Sequence, residues 1–257
     1  MIIIKSEGEI NKIKKACDIW KKTRSVLRKN LRSGVSLLHL DAIARDTILN
    51  CGGKPAFKGY LGFPANICIS RNRVIIHGIP DETCVQAGDK LTFDIGVELD
   101  GYFCDAAFTC LVPPVNPEMQ KLNEITYNSL IAGIQALGVG KRIGVVGEAI
   151  KRYISRESDY YILPGFSGHG CGKRIHEGPP VFNDADSNSG PLIKEGMVLC
   201  IEPMVMTKSD EYVYTAPQWN VQAKRSDSLV CHWEHMVAVG YNKEVVVLTD
   251  ETKQDYF

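Results

Sequence analysis

The sequence predicts an α+β fold in which helices and antiparallel strands come in separate runs. Three observations carry that expectation: helical periodicity behind an N-terminal capping box, a long hairpin turning at an Asp-Gly pair, and a strand-then-acid segment that recurs in the second half. Ser6 and Glu9 form the S-x-x-E box. Ile10, Ile13, Cys17, Trp20 and Leu27 follow at helical spacing, so an amphipathic helix runs from about 7 to 30. A second covers about 36–50 and ends at Gly52-Gly53, and residues 54–64, rich in Gly, Pro and aromatics, read as a loop. Residues 65–76 form a strand region, and 90–112 a hairpin around Asp100-Gly101. Asn116-Pro117 caps a helix reaching about Leu137, and another spans about 143–157. From Tyr160 onward the pattern is short strands and loops, with the polar stretch 183–190 as the most flexible segment.

The recurrence joins Gly88-Asp89-Lys90-Leu91-Thr92-Phe93-Asp94 to Gly196-Met197-Val198-Leu199-Cys200-Ile201-Glu202: a glycine, an apolar strand, a terminal carboxylate. Duplication and chance recurrence both account for it.

Composition narrows the function classes. The 257 residues suit one large domain or two small ones, either able to bury a core without a disulfide or metal staple. Thirty basic residues balance thirty acidic ones, so there is no broad attraction for nucleic acid or acidic membranes. The longest basic cluster, Lys12, Lys14, Lys15, Lys21, Lys22, Arg24, Arg28, Lys29 and Arg32, reads as a solvated helix face. The apolar start breaks at Lys5, before any secretory core, and no run of about 18 apolar residues exists to span a membrane. A cytoplasmic location is expected. Nine irregularly spaced cysteines without a C-x-x-C read as buried thiols in a reducing compartment.

The hairpin turn fixes a register. With Asp100-Gly101 as a two-residue loop, Leu99 pairs with Tyr102, which sets Asp94 opposite Ala107 and Asp105 opposite Gly96. Asp94 and Asp105 then share one face as diagonal neighbours, with Cβ atoms within about 7–8 Å. Phe93, Ile95, Val97 and Phe108 supply the opposite, apolar face. Two solvated aspartates on a half-buried sheet are one reading of this pair; a shared cation is the other, since buried carboxylates without partners cost several kcal/mol each. The remaining inventory favours the cation. Glu202 ends an apolar strand, Glu234 opens another, and His169 lies between glycines where backbone approaches a ligand closely. One imidazole with four carboxylates suits a pair of divalent ions about 3.5–4 Å apart better than a lone tetrahedral zinc.

His77-Gly78-Ile79-Pro80, Asp94 with Asp105, Gly168-His169-Gly170-Cys171-Gly172 with His176-Glu177, Ile201-Glu202-Pro203-Met204 and Trp233-Glu234-His235 together resemble the type I methionine aminopeptidases, of the pita-bread metallopeptidase fold. The resemblance spans essentially the whole chain. It implies one catalytic domain, 1–257, of two pseudo-symmetric halves, about 1–115 and 116–257, with a curved antiparallel sheet covered by helices. It also implies removal of N-terminal methionine from nascent proteins whose second residue is small.

By the same resemblance Asp94, Asp105, His169, Glu202 and Glu234 hold two divalent ions, with Asp105 and Glu234 bridging. Mn, Fe, Co and Zn all tolerate this donor set. His77 and His176 contact the substrate around the scissile amide, and Glu202 moves the proton from the attacking water to the leaving amine. Tyr60, Phe63, Cys68 and Trp219 line the methionine pocket. Two positions depart from the pattern: Phe57 stands where relatives often carry a small residue, and Ile175 where an aromatic is common. The second leaves less wall, so looser selectivity is expected, tightened by Ile175→Phe. His39, His232 and His235 receive no role.

The partners implied are nascent N-termini, with no membrane and no specific nucleic acid. The chain is expected to be a monomer, and the basic helix face is where a ribosome would touch. Two alternatives remain. An Xaa-Pro aminopeptidase or dipeptidase shares the fold and ligands but usually places a sizeable domain before the catalytic one, whereas here only helices and a loop precede His77. A non-catalytic pita-bread binding module needs lost ligands, and all five are present.

Overall fold

The computed structural model describes residues 1–215 and 218–250; the last seven residues of the expected catalytic domain lie outside it. Helix α1 (Glu7–Asn30) begins at the capping box: the Ser6 hydroxyl accepts the Glu9 N–H at 3.3 Å, and the Glu9 carboxylate accepts the Ser6 N–H at 2.8 Å. In α2 (Leu37–Asn50) Ser36 is the N-cap, its hydroxyl accepting the His39 N–H. The expected loop after it contains the short strand β1 (Lys54–Pro55) and a 3₁₀ turn at Tyr60–Gly62. The strand region 65–76 divides at Asn72-Arg73 into β2 (Cys68–Arg71) and β3 (Val74–Ile76).

The hairpin is β4 (Lys90–Leu99) and β5 (Tyr102–Leu111). Asp100 and Gly101 have φ of +51° and +78°, the left-handed pair that a two-residue turn needs. Leu99 pairs with Tyr102, Asp94 with Ala107 and Gly96 with Asp105, the register expected from the turn. Then come α3 (Pro117–Ala136), capped by Asn116, and α4 (Gly144–Glu157). The rest is strands: β6 (Tyr161–Ile162), β7 (Ser167–Gly170), β8 (Glu177–Phe182), β9 (Val198–Ile201), β10 (Met204–Met206), β11 (Tyr212–Thr215), β12 (Asn220–Ala223), β13 (Val230–His232), β14 (His235–Val239) and β15 (Val245–Val247).

Strand β5 follows one edge of β4, while β2 and β1 take successive stretches of the other. A five-stranded sheet runs β15-β14-β9-β7-β8, and two three-stranded sheets run β13-β10-β6 and β11-β12-β3. Ala107 of β5 and Glu234 exchange backbone hydrogen bonds of 3.0 and 3.4 Å, which tie the hairpin to the strand leading into β14. That seam runs through the acids singled out above.

On the back of the hairpin α1 packs the apolar face. The Trp20 indole N–H donates to the Ala106 carbonyl at 2.9 Å, and its ring meets Phe108 edge-on. The expected solvated basic face needs one correction. Arg24 is fully buried with its guanidinium over the Phe108 ring, because its position lies on the stripe that also carries Trp20 and Leu27. Lys5 is buried too, paired with Glu177 at 2.5 Å.

Candidate metal centre and substrate pocket

Five polar side chains converge from both sheets. Asp94 and Asp105 come from the hairpin, Glu202 follows the last residue of β9, Glu234 precedes the first of β14, and His169 lies within β7. Pairing aligns the second group, with His169 opposite Cys200 and Ile201 opposite His235. Ligand atoms of Asp94, Asp105 and Glu234 all lie within 4.8 Å of one another. The His169 Nε2 is 3.7 Å from Asp105 Oδ2 and 3.6 Å from Glu202 Oε1.

The donor chemistry fits divalent cations. Asp94 Oδ1, Asp105 Oδ1 and Glu234 Oε1 are buried without a hydrogen-bond partner among the described residues, a costly condition for carboxylates unless a cation meets them. Burial raises Asp94 from 3.8 to about 7. Burial, reinforced by neighbouring acids, also raises Asp105, Glu202 and Glu234 well above the ordinary carboxylate range. His169 is held neutral, its pKa lowered by burial and by His176 to about 3. Its Nδ1 lies 3.0 Å from the Gly170 carbonyl, which only accepts, so the proton sits on Nδ1 and the Nε2 lone pair faces the acids. Cys200 also approaches this group, but its thiol points to the Asp105 carbonyl and burial pushes its pKa far up, so it offers no thiolate.

Above the acids lies a cavity of about 330 Å³ whose walls include Phe57, Tyr60, Phe63, Cys68, His77 and Trp219. Phe63 meets Trp219 edge-on at 5.3 Å and Phe57 at 6.4 Å. His77 has φ of +58°, rare for a residue with a side chain, and its ring stands edge-on to Trp219 and Phe166. Burial, with His176 nearby, lowers its pKa to about 4, so it is a neutral donor. His176 stacks near His169, ring centroids 4.3 Å apart, and its Nδ1 is 2.9 Å from the Tyr60 hydroxyl.

All the residues expected at the site are thus gathered around one cavity. Leu61, at the rim and 79% exposed, carries no signal in the sequence. His232 receives no role from the sequence, yet its Nε2 is 3.6 Å from Glu202 Oε2. Burial, followed by the nearby His77 and Lys90, lowers its pKa to about 3. His39 is exposed on α2, and His235 Nδ1 faces the Thr249 hydroxyl at 2.9 Å.

A family model described as metallopeptidase family M24 matches residues 11–240. The chain is 40% identical over 251 residues to a methionine aminopeptidase of Helicobacter pylori, covering 96% of this chain and 98% of the relative. The crystal structure of methionine aminopeptidase from Rickettsia prowazekii superposes with a TM-score of 0.93 at 28% identity, covering 97% of this chain and 100% of that one. The prolidase from Pyrococcus furiosus shares the fold more distantly, with a TM-score of 0.76 at 23% identity; 98% of this chain covers only 66% of it.

Proposed function

The chain belongs to metallopeptidase family M24, and from that premise we propose that Asp94, Asp105, His169, Glu202 and Glu234 hold two divalent ions with which it removes N-terminal methionine from proteins whose second residue is small. Its fold is the pita-bread α+β architecture, and its activity is that of a metal-dependent methionine aminopeptidase. The observation carrying the assignment of residues is the convergence of four acids, two buried and two half-buried and three with a buried unmatched oxygen, on one imidazole whose Nε2 lone pair faces them.

Bound divalent ions supply a Lewis acid for the scissile carbonyl and make water a better nucleophile near neutral pH. The protein's own groups do the rest. Asp105 and Glu234, each with two oxygens and each buried, would be the carboxylates suited to be shared between two ions. Glu202 accepts the proton of the attacking water and delivers it to the leaving amine. In this reading the Tyr60 O–H is the hydrogen-bond donor to His176 Nδ1, 2.9 Å away, which keeps the imidazole N–H on Nε2 for the substrate, and neutral His77 donates from the opposite wall. Both stabilise the carbonyl oxygen as it gains charge. The methionine side chain fills the space between Tyr60, Phe63, Cys68 and Trp219, whose rings and thiol suit a thioether.

In this reading the physiological substrates are nascent N-termini, the enzyme works in the cytoplasm, and a single chain carries the whole site. Residues 1–257 act as one catalytic domain of two related halves. The exposed lysines of α1 are the surface for ribosome contact; co-sedimentation with ribosomes unaffected by their reversal to glutamate would remove that part.

Methionine release is measured from Met-Ala-Ser, Met-Lys and Xaa-Pro peptides before and after chelation. Met-Ala-Ser is cleaved, the others are poor, and chelation stops the reaction until divalent metal returns. Asp105→Asn lowers kcat by about 1,000-fold or more, since an amide cannot bridge two cations. His77→Ala and His176→Ala lower kcat by roughly tenfold per 1.4 kcal/mol lost, with metal content near wild type. Turnover by metal-stripped protein, or metal loss in the His77→Ala protein, contradicts these roles.

A further inference from the structure

His232 ends β13, directly opposite Met204 of β10, where the chain has just left Glu202. The residue is 1% exposed, and neither ring nitrogen has a hydrogen-bond partner among the described residues. A neutral imidazole carries one N–H and one lone pair, so burying both unmatched is a cost that packing alone does not explain. The backbone around it is held rigidly. The Thr109 hydroxyl donates to the His232 carbonyl at 2.7 Å, the Trp233 N–H faces the Pro203 carbonyl at 3.4 Å, and the Trp233 indole donates to Asn123 at 2.7 Å.

Glu202 is bracketed by two imidazoles. Oε1 is 3.6 Å from His169 Nε2, and Oε2 is 3.6 Å from His232 Nε2. The second separation is a few tenths of an ångström beyond a hydrogen bond, which a small turn of the carboxylate closes. His169 spends its N–H on Gly170, so it offers Glu202 no proton from Nε2; His232 is the donor available to this carboxylate.

We propose that His232 is a positioning residue for Glu202: its Nε2–H holds Oε2, leaving Oε1 aimed at the metal-facing side. A glutamate that both binds a cation and moves a proton needs its two oxygens kept distinct, and free rotation about its last torsion would exchange them. Groups that hydrogen-bond a ligand in this way are worth about 10–100-fold in metal affinity or activity. The inference rests on the reading of Glu202 as a metal ligand, but the Mn²⁺ titration in its test does not depend on which peptide is cleaved.

Metal-free wild type, His232→Gln and His232→Leu proteins are titrated with Mn²⁺ by calorimetry, melted without metal, and assayed on Met-Ala-Ser. Leucine fills the space without a donor and is expected to weaken Mn²⁺ binding and lower kcat, each by about tenfold or more, while KM changes little. Glutamine, with an amide N–H at similar reach, recovers most of both. Wild-type Mn²⁺ affinity and kcat in His232→Leu overturn the proposal. So does a His232→Gln protein that melts like wild type yet is as impaired as the leucine variant. Failure of wild type itself to cleave Met-Ala-Ser, with the order of Mn²⁺ affinities intact, would instead contradict the substrate assignment.

Discussion

At Gly96 the shape of the pocket is decided by what is missing. A Cβ there would stand 2.7 Å from Phe57 Cε1 and 2.9 Å from Ile175 Cδ1, so both side chains fill the space above this one glycine. The expectation of a thin wall at Ile175 overlooks that Phe57, from the other side, supplies an aromatic ring and lines the cavity. Adding a ring to this packing overfills it. Ile175→Phe is therefore expected to cost about 1–3 kcal/mol of stability and to lower kcat/KM on Met-Ala-Ser instead of sharpening selectivity. Pairing it with Phe57→Cys should relieve both defects. Assays on Met-, norleucine- and Leu-Ala-Ser decide this, and sharper discrimination by the single variant would refute it. The four acids proposed as metal ligands stand out in the sequence because a carboxylate in an apolar strand is costly unless a cation meets it, and His169 stands out by its flanking glycines. The structural setting of His232 is not, since one histidine in Val230-Cys231-His232 reads as a packed side chain until its unmatched nitrogens are seen.

Among the elements, the segment preceding α1 does more than lead into a helix. Lys5 and Glu177 form an ion pair with both side chains 1% exposed, and the other Glu177 oxygen accepts the N–H groups of Lys173 and Arg174. The Met1 carbonyl accepts the Gly178 N–H at 3.2 Å. The chain start thereby braces the loop that carries Ile175 and His176. Lys5→Met leaves Glu177 as a buried charge without its cation, which costs about 3–5 kcal/mol. The expected loss of Tm is roughly 10 °C, read by thermal denaturation, and a shift under about 2 °C would count against the brace. Neither partner of this pair is visible in sequence, because 172 positions separate them. Local signals fare better: the capping box, the Asn116-Pro117 start and the Asp-Gly turn each act within a few residues and are readable. Of the short strands after α4, β9 and β14 are readable as the apolar runs beside Glu202 and Glu234, whereas β6, β7 and β10 are set by pairing with strands far along the chain.

Over the whole molecule, the buried acids make stability depend on pH in an unusual direction. Asp94 titrates near 7 in the metal-free fold against 3.8 ordinarily, so the native state keeps a proton that the unfolded chain releases. This contribution to stability is fully present below about pH 4 and is lost as pH rises through about 7. Asp105, Glu202 and Glu234 shift the same way. On the proposed ligand set metal binding requires the deprotonated acids, so its stabilisation grows over the same interval. The gap in Tm between metal-loaded and metal-free protein should widen between about pH 5.5 and 7.5 when followed by calorimetry; a constant gap would refute the linkage. The hairpin also constrains how the gene can drift. Asp94 and Leu99, where β4 meets its turn, lie on one strand whose successive side chains alternate between faces. One codon inserted between them must bulge out, or it turns Asp94 toward Trp20 and Phe108. Insertions and deletions are therefore filtered by odd and even here, whereas the polar stretch 183–190, outside any strand, has no such parity to keep.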